Sequence, residues 1–130
     1  MHMTQGKYAG QKMSTIPSSY LNWMLKAETG FAADPESDII DEAWLVLRER
    51  ADGTMPMPWG KHRGTAIRDL SDNYLAWLLV GSDARRITPQ VFVEAQYVAE
   101  QLRYHDGEFQ LAMDRARRRA EEAVSPTHWA

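Results

Sequence analysis

Residues 3–25 and 57–79 carry the same residue types in the same order. Met3, Gly6, Lys7, Gly10, Tyr20, Leu21, Trp23 and Leu25 recur as Met57, Gly60, Lys61, Gly64, Tyr74, Leu75, Trp77 and Leu79, eight identities in 23 positions at a constant offset of 54 (57 minus 3). The offset continues without a gap through Pro35/Pro89 and Asp52-Gly53/Asp106-Gly107. Self-similarity at a fixed period marks a repeated structural unit, so the chain is expected to hold cassette one in residues 1–53 and cassette two in residues 54–107. Residues 108–130 follow without a counterpart. A 54-residue unit is marginal for a core of its own, whereas 130 residues with 44% hydrophobic content suffice for one compact domain. The two cassettes are therefore expected to pack on a shared core.

Within cassette two, Met57-Pro58-Trp59 and Thr65-Ala66-Ile67 flank a segment bracketed by Gly60 and Gly64, the pattern of a short β-hairpin. Gly6-Lys7-Tyr8-Ala9-Gly10 is its weaker form in cassette one. A helix should follow in each cassette, N-capped by Ser18 or Asp72. Its inner face is expected to hold Tyr20, Trp23 and Met24, or Tyr74, Trp77 and Leu78, with both tryptophans largely buried. Asp34-Pro35 and Thr88-Pro89 read as starts of second helices, because proline at the first helical position loses no intrahelical bond. Ile40, Trp44 and Leu47, and Val91, Ala95, Val98 and Leu102, then recur at helical spacing, and Asp-Gly closes each helix. A last helix over Glu108 to Val124, with Phe109, Met113, Ala116 and Ala120 inward, ends before Ser125-Pro126. The expected fold class is α+β, mostly helical: two hairpin-and-two-helix cassettes plus a C-terminal helix.

Composition narrows the function classes. With no cysteine, disulfides and thiolate metal sites are excluded and a cytoplasmic location is expected. No stretch reads as a signal peptide or a membrane span. The formal net charge is −3, so a polyanion site has to be a local patch on a neutral or acidic surface. His2, His62, His105 and His128 have no ligand spacing, and the acidic run from Asp34 to Glu42 reads as a charged helix start. No nucleophile triad, phosphate loop or dinucleotide fingerprint is present, so neither catalysis, a metal nor a cofactor is expected.

The Gly60-Lys61-His62-Arg63-Gly64 loop is the chemically distinctive segment. Flanking glycines permit a tight turn, and Lys61, His62 and Arg63 place cations at its tip, an arrangement suited to phosphate contact that Arg68 can extend, along with Arg85 and Arg86. The same residues also suit a tip that merely stays soluble, and Trp59 either stacks on a base or packs inward. The Arg115–Arg119 run admits phosphate contact or a solvated helix face. In cassette one Lys7 remains, but Ala9 replaces the second base, so contact is expected chiefly at the second loop.

Met57-Pro58-Trp59-Gly60-Lys61-His62-Arg63-Gly64, with Asp69-Leu70 and Tyr74-Leu75-Ala76-Trp77-Leu78, resembles the signature M-P-F-G-K-H/Y-K/R-G followed by L-P-x-x-Y-L-x-W-F/L. That signature belongs to a small bacterial and phage family of quorum-sensing-regulated virulence factors, and a similar module ends exodeoxyribonuclease X-like exonucleases. Cassette one is similar through Gly6-Lys7-Tyr8, Gly10 and Ile16-Pro17-Ser18-Ser19-Tyr20-Leu21-Asn22-Trp23, and departs from the signature at Gln5 and Ala9. The resemblance implies a nucleic-acid context without catalysis by this module. The expected function is thus a non-catalytic accessory protein that contacts a nucleic-acid backbone through Trp59, Lys61, His62, Arg63, Arg68 and Lys7. The alternative is a module that docks on and regulates a larger protein; the oligomeric state is left open.

Overall fold

The computed structural model describes residues 2–3, 8–26 and 38–124. Among them run six helices: α1 (Ser18–Leu25), α2 (Asp38–Arg50), α3 (Asp72–Ala76), α4 (Ala84–Ile87), α5 (Pro89–Tyr97) and α6 (Gly107–Val124). Five-residue π-helical turns, Trp77–Gly81 and Val98–Leu102, prolong α3 and α5, and 3₁₀ turns Met13–Thr15 and Ile67–Asp69 precede α1 and α3.

The class is all-helical, which corrects the α+β expectation: no strand forms among the described residues. Each expected hairpin is reduced to one isolated antiparallel bridge, His2 to Lys12 and Pro56 to Ala66. Two features stop the second ladder from growing. Thr65 N–H turns to His62 O (3.0 Å) within the loop, and the returning arm coils into a 3₁₀ turn at Ile67. What survives is a pair of short arms held by Ile67 N to Met55 O (2.9 Å), Met57 N to Thr65 O (2.8 Å) and Gly64 N to Met57 O (2.9 Å). Met3 N to Gln11 O (2.9 Å) and Gly10 N to Met3 O (2.8 Å) hold the first loop in the same way.

The helix starts also differ from expectation. Ser18 and Asp72 are first helical residues rather than caps; Pro17 and Ser71 precede them, and the Ser71 hydroxyl accepts from Tyr74 N (3.3 Å). Asp72 instead places a carboxylate in the first turn of α3, where unpaired amide groups favour it. Thr88 makes no side-chain cap on α5, and that duty passes to Asn22 of α1, whose Oδ1 accepts from Gln90 N at 2.8 Å. A side chain from cassette one thus closes a helix of cassette two. Asp106 does not end a helix; its carboxylate accepts from Glu108 N (2.9 Å) and Phe109 N (3.4 Å) and so starts α6. Asp34-Pro35 lies outside the described residues.

The buried side chains form two adjoining clusters instead of the single shared core expected. One gathers Met3, Met13, Ile16, Leu21, Met24, Ile39, Ala43 and Leu47. The other gathers Met57, Ile67, Leu75, Leu78, Val91, Val98, Phe109 and Met113. α5 and the π-turn that prolongs it join them, sending Val93 into the first and Val91, Ala95 and Val98 into the second, while Tyr97 packs against both. Leu102, expected inward, is exposed, whereas Phe109, Met113 and Ala116 of α6 are inward as their spacing implies.

Two arginines fasten the helices to the 3₁₀ turns. Arg103 donates to Asp72 Oδ1 (2.9 Å), Arg68 O (2.8 Å) and Leu70 O (2.6 Å). Arg50 donates to Ser18 Oγ (2.9 Å) and Ser14 O (2.7 Å). Ser18 and Ser14 stand 54 residues before Asp72 and Arg68. The segment between the cassettes is clipped to α5 by the buried Glu94 carboxylate, which accepts from Gly53 N (2.7 Å) and Asp52 N (3.2 Å). Burial pushes the Glu94 carboxyl above its ordinary range, against the lowering effect of those two amide bonds.

Candidate binding surface around the glycine-flanked loop

Gly60 and Gly64 adopt φ of +80° and +90°, values open to glycine and strained for side-chain-bearing residues. Arg63 N donates to Gly60 O (3.2 Å), closing the turn that presents Lys61 and Arg63 to solvent. His62 turns inward, its ring edge-on to Tyr74 at 4.4 Å between centroids. Tyr74 lies 5.3 Å from Trp77, and Trp77 meets the edge of Trp59 at 6.3 Å. The loop is therefore seated on α3 through an aromatic chain, His62, Tyr74, Trp77 and Trp59. Cassette one has its own version, Tyr8 to Tyr20 at 4.7 Å and Tyr20 to Trp23 at 5.4 Å.

The six residues expected to bind do not all converge. Lys61 and Arg63 share the tip, His62 is half-buried against Tyr74, and Trp59 is half-buried against Trp77. Arg68 sits at the open end of the arms, away from the tip: its N–H donates to Gly53 O (2.9 Å) and its carbonyl accepts from Arg103. Lys7 lies outside the described residues. Arg85 is drawn to α2, with its guanidinium 5.1 Å from the Trp44 ring centre, so it does not extend the loop.

Two features escape the sequence reading. Trp77 is 41% exposed and Trp23 45%, so neither is the core residue expected. The second is a pair of grooves with Trp77 as their common wall. One, of about 490 Å³, runs from Trp59 and Trp77 past Asp83 to Ala84 and Ile87; the other, of about 220 Å³, lies between Trp77 and the Arg115, Ala116 and Arg119 face of α6. Arg115 is steadied by Asn73 Oδ1 at 3.2 Å. The indole also lies over Gly81, where an added Cβ would come within 2.9 Å of Trp77 Cδ1. The available signal was the spacing of four in Ala112, Ala116 and Ala120, which makes one face of α6 shallow beside a bulky residue, with Arg115 and Arg119 on its border.

Among the described residues, no group of three or more His, Cys, Asp or Glu side chains could hold a metal ion, and no helix is long and apolar enough to cross a membrane. The surface offers two solvent-facing cations on a fixed turn, an exposed indole, and two arginines across a groove. Such a surface can bind and orient a ligand.

Residues 50–80 match the family described as "Putative quorum-sensing-regulated virulence factor". The matched span, 31 of 130 residues, takes in the glycine-flanked loop, its 3₁₀ turn, α3 and the Trp77 indole. No curated protein and no solved structure matches the chain.

Proposed function

We propose that this chain is a non-catalytic, cytoplasmic accessory protein that binds the phosphate backbone of a nucleic acid through the loop at residues 60–64. The observation that carries the reading is the joint exposure of Lys61 and Arg63 on a turn fixed by two positive-φ glycines and seated on α3 by His62. Cations held at a rigid tip lose little freedom on meeting a phosphate. The resemblance that the loop and α3 motif suggest to the C-terminal module of exodeoxyribonuclease X-like exonucleases is in keeping with the reading.

The two cassettes are, in this reading, tandem copies of one module. The equal spacing of the loop hydrogen bonds, of the 3₁₀ turns and of the acceptors for Arg50 and Arg103 supports that view. A second reading, docking on a larger protein, is favoured by one observation: the apolar groove between Trp77 and the exposed Ile87.

Fluorescence anisotropy with labelled single- and double-stranded oligonucleotides, at several salt concentrations, tests the proposal. Lys61→Ala with Arg63→Ala should weaken binding and lower the salt slope by about one for each phosphate that is no longer neutralised. Absence of binding at low salt, or unchanged affinity in the double variant, would move the assignment to protein docking.

A further inference from the structure

We infer that the surface around Trp77 is a site for single-stranded nucleic acid, in which one base stacks on the indole while Arg115 and Arg119, across the groove from that ring, take phosphates. The inference rests on the proposed nucleic-acid reading and names the form of strand. Three observations converge on it.

Trp77 is a large aromatic side chain 41% exposed at the meeting of two grooves, although the helix that carries it buries Leu75 and Leu78 completely. Its position is also fixed: Tyr74 and Trp59 brace it at 5.3 and 6.3 Å, and Gly81 lies against Cδ1. A braced, exposed ring loses little freedom when a second ring covers it.

Charge selects the occupant. Arg115 and Arg119 line one groove with no carboxylate among its walls, and the other is walled by a single one, Asp83. The loop seated on Tyr74 adds Lys61 and Arg63. Two arginines facing an exposed aromatic ring, with the cationic loop seated on the neighbouring Tyr74, form in a chain of net charge −3 a local patch complementary to a phosphate chain that carries rings. An unpaired strand can turn a base face toward such a ring, whereas a duplex hides its base faces in the stack.

The test is anisotropy on the full chain with a short oligodeoxythymidylate and a duplex of equal length, both at low salt. Preference for the single strand is expected. Trp77→Ala should weaken single-strand binding about tenfold, within the range seen when one base stack is removed, with little change for the duplex. Trp77→Phe, which keeps a ring, should retain most of the affinity. Gly81→Ala, which leaves the indole in the chain but pushes it off its seat, should fall between them. Arg115→Gln with Arg119→Gln should lower the single-strand salt slope by about 1.4, two phosphates at roughly 0.7 each. Thermal melts identify any variant that fails to fold, and Trp77→Phe and Gly81→Ala carry the test if Trp77→Ala does. Equal affinity for strand and duplex with no effect at Trp77 would overturn the single-strand site while leaving the loop-phosphate reading intact. Absence of binding by either oligonucleotide would overturn both.

Discussion

Glu94 lets the joint between the two cassettes be probed with one side chain. Its carboxylate is buried and receives two backbone N–H groups, from Gly53 at 2.7 Å and Asp52 at 3.2 Å. Truncation in Glu94→Ala leaves the buried Gly53 donor without an acceptor, a loss of about 1–3 kcal/mol, while the Asp52 donor is partly open to water and adds less. Relief of the desolvated charge offsets part of this, so a net destabilisation of roughly 2 kcal/mol is expected. Glu94→Gln keeps an oxygen for Gly53 and removes the charge; it should stay within about 1 kcal/mol of the parent. The pH dependence has a definite sign. Because burial raises the folded-state carboxyl pKa above 4.5, the folded protein holds a proton that the unfolded chain has released in the window above that value. The stability contributed by this group is greatest below 4.5 and declines as pH rises through the raised folded value. The difference between parent and Glu94→Gln should therefore move in favour of glutamine from about pH 4.5 to 7. Urea unfolding of the three proteins at several pH values measures it. Glutamine as damaging as alanine, or a difference moving in favour of glutamate with rising pH, would refute the account of Glu94 as a desolvated acceptor.

The arginine clamps should differ in strength. Arg103 has a side chain only 14% exposed and binds Asp72 and two carbonyls, so Arg103→Ala should destabilise by about 2–3 kcal/mol, whereas the exposed Arg50→Ala should cost about 1 kcal/mol or less, both read from urea midpoints. Trp77→Ala should cost about 1–2 kcal/mol, below the 3–5 kcal/mol of a fully buried tryptophan that the sequence pattern implies, while Leu75→Ala, wholly buried, should cost about 2–5 kcal/mol. Equal or reversed losses at 75 and 77 would contradict the observed orientation of α3.

The misplacement of the tryptophans has a geometric cause. Spacings of three and four put Tyr74, Trp77 and Leu78 on one side of a helix, but that side is wide, and its centre is set by which residues meet the rest of the protein. With Leu75, Ala76 and Leu78 all fully buried, the inward direction lies near Leu75; Trp77, two residues on, points away from it, and Tyr74, one residue before, points to the side. Their exposure follows that order, Trp77 exposed and Tyr74 half-buried. Size alone weights a tryptophan as core, whereas here the smaller leucines decide the face. The missing second hairpin has another cause: glycine-bracketed turn chemistry is legible and the loop closes, but a ladder also needs both arms to stay extended, and here Thr65 N turns to His62 O while the returning arm coils into a 3₁₀ turn at Ile67.

The loop is legible because its determinants are local. Gly60 and Gly64 set the turn, and the residues between them must be at its tip whatever surrounds it. Its neighbours are set by tertiary packing: Arg68 is spent on the base of the arms and Arg85 on Trp44, while Arg115 and Arg119 arrive from a helix more than thirty residues further along the chain. Sequence proximity therefore does not decide which arginines lie beside Trp77. α6 supplies others because its alanines let it approach α3 closely, leaving the Trp77 indole walled by arginine on one side and by Trp59 on the other. A binding reading that stopped at the loop would locate all recognition in two cations. On the proposed nucleic-acid reading, the exposed ring facing the α6 arginines is the part suited to tell an unpaired base from a paired one.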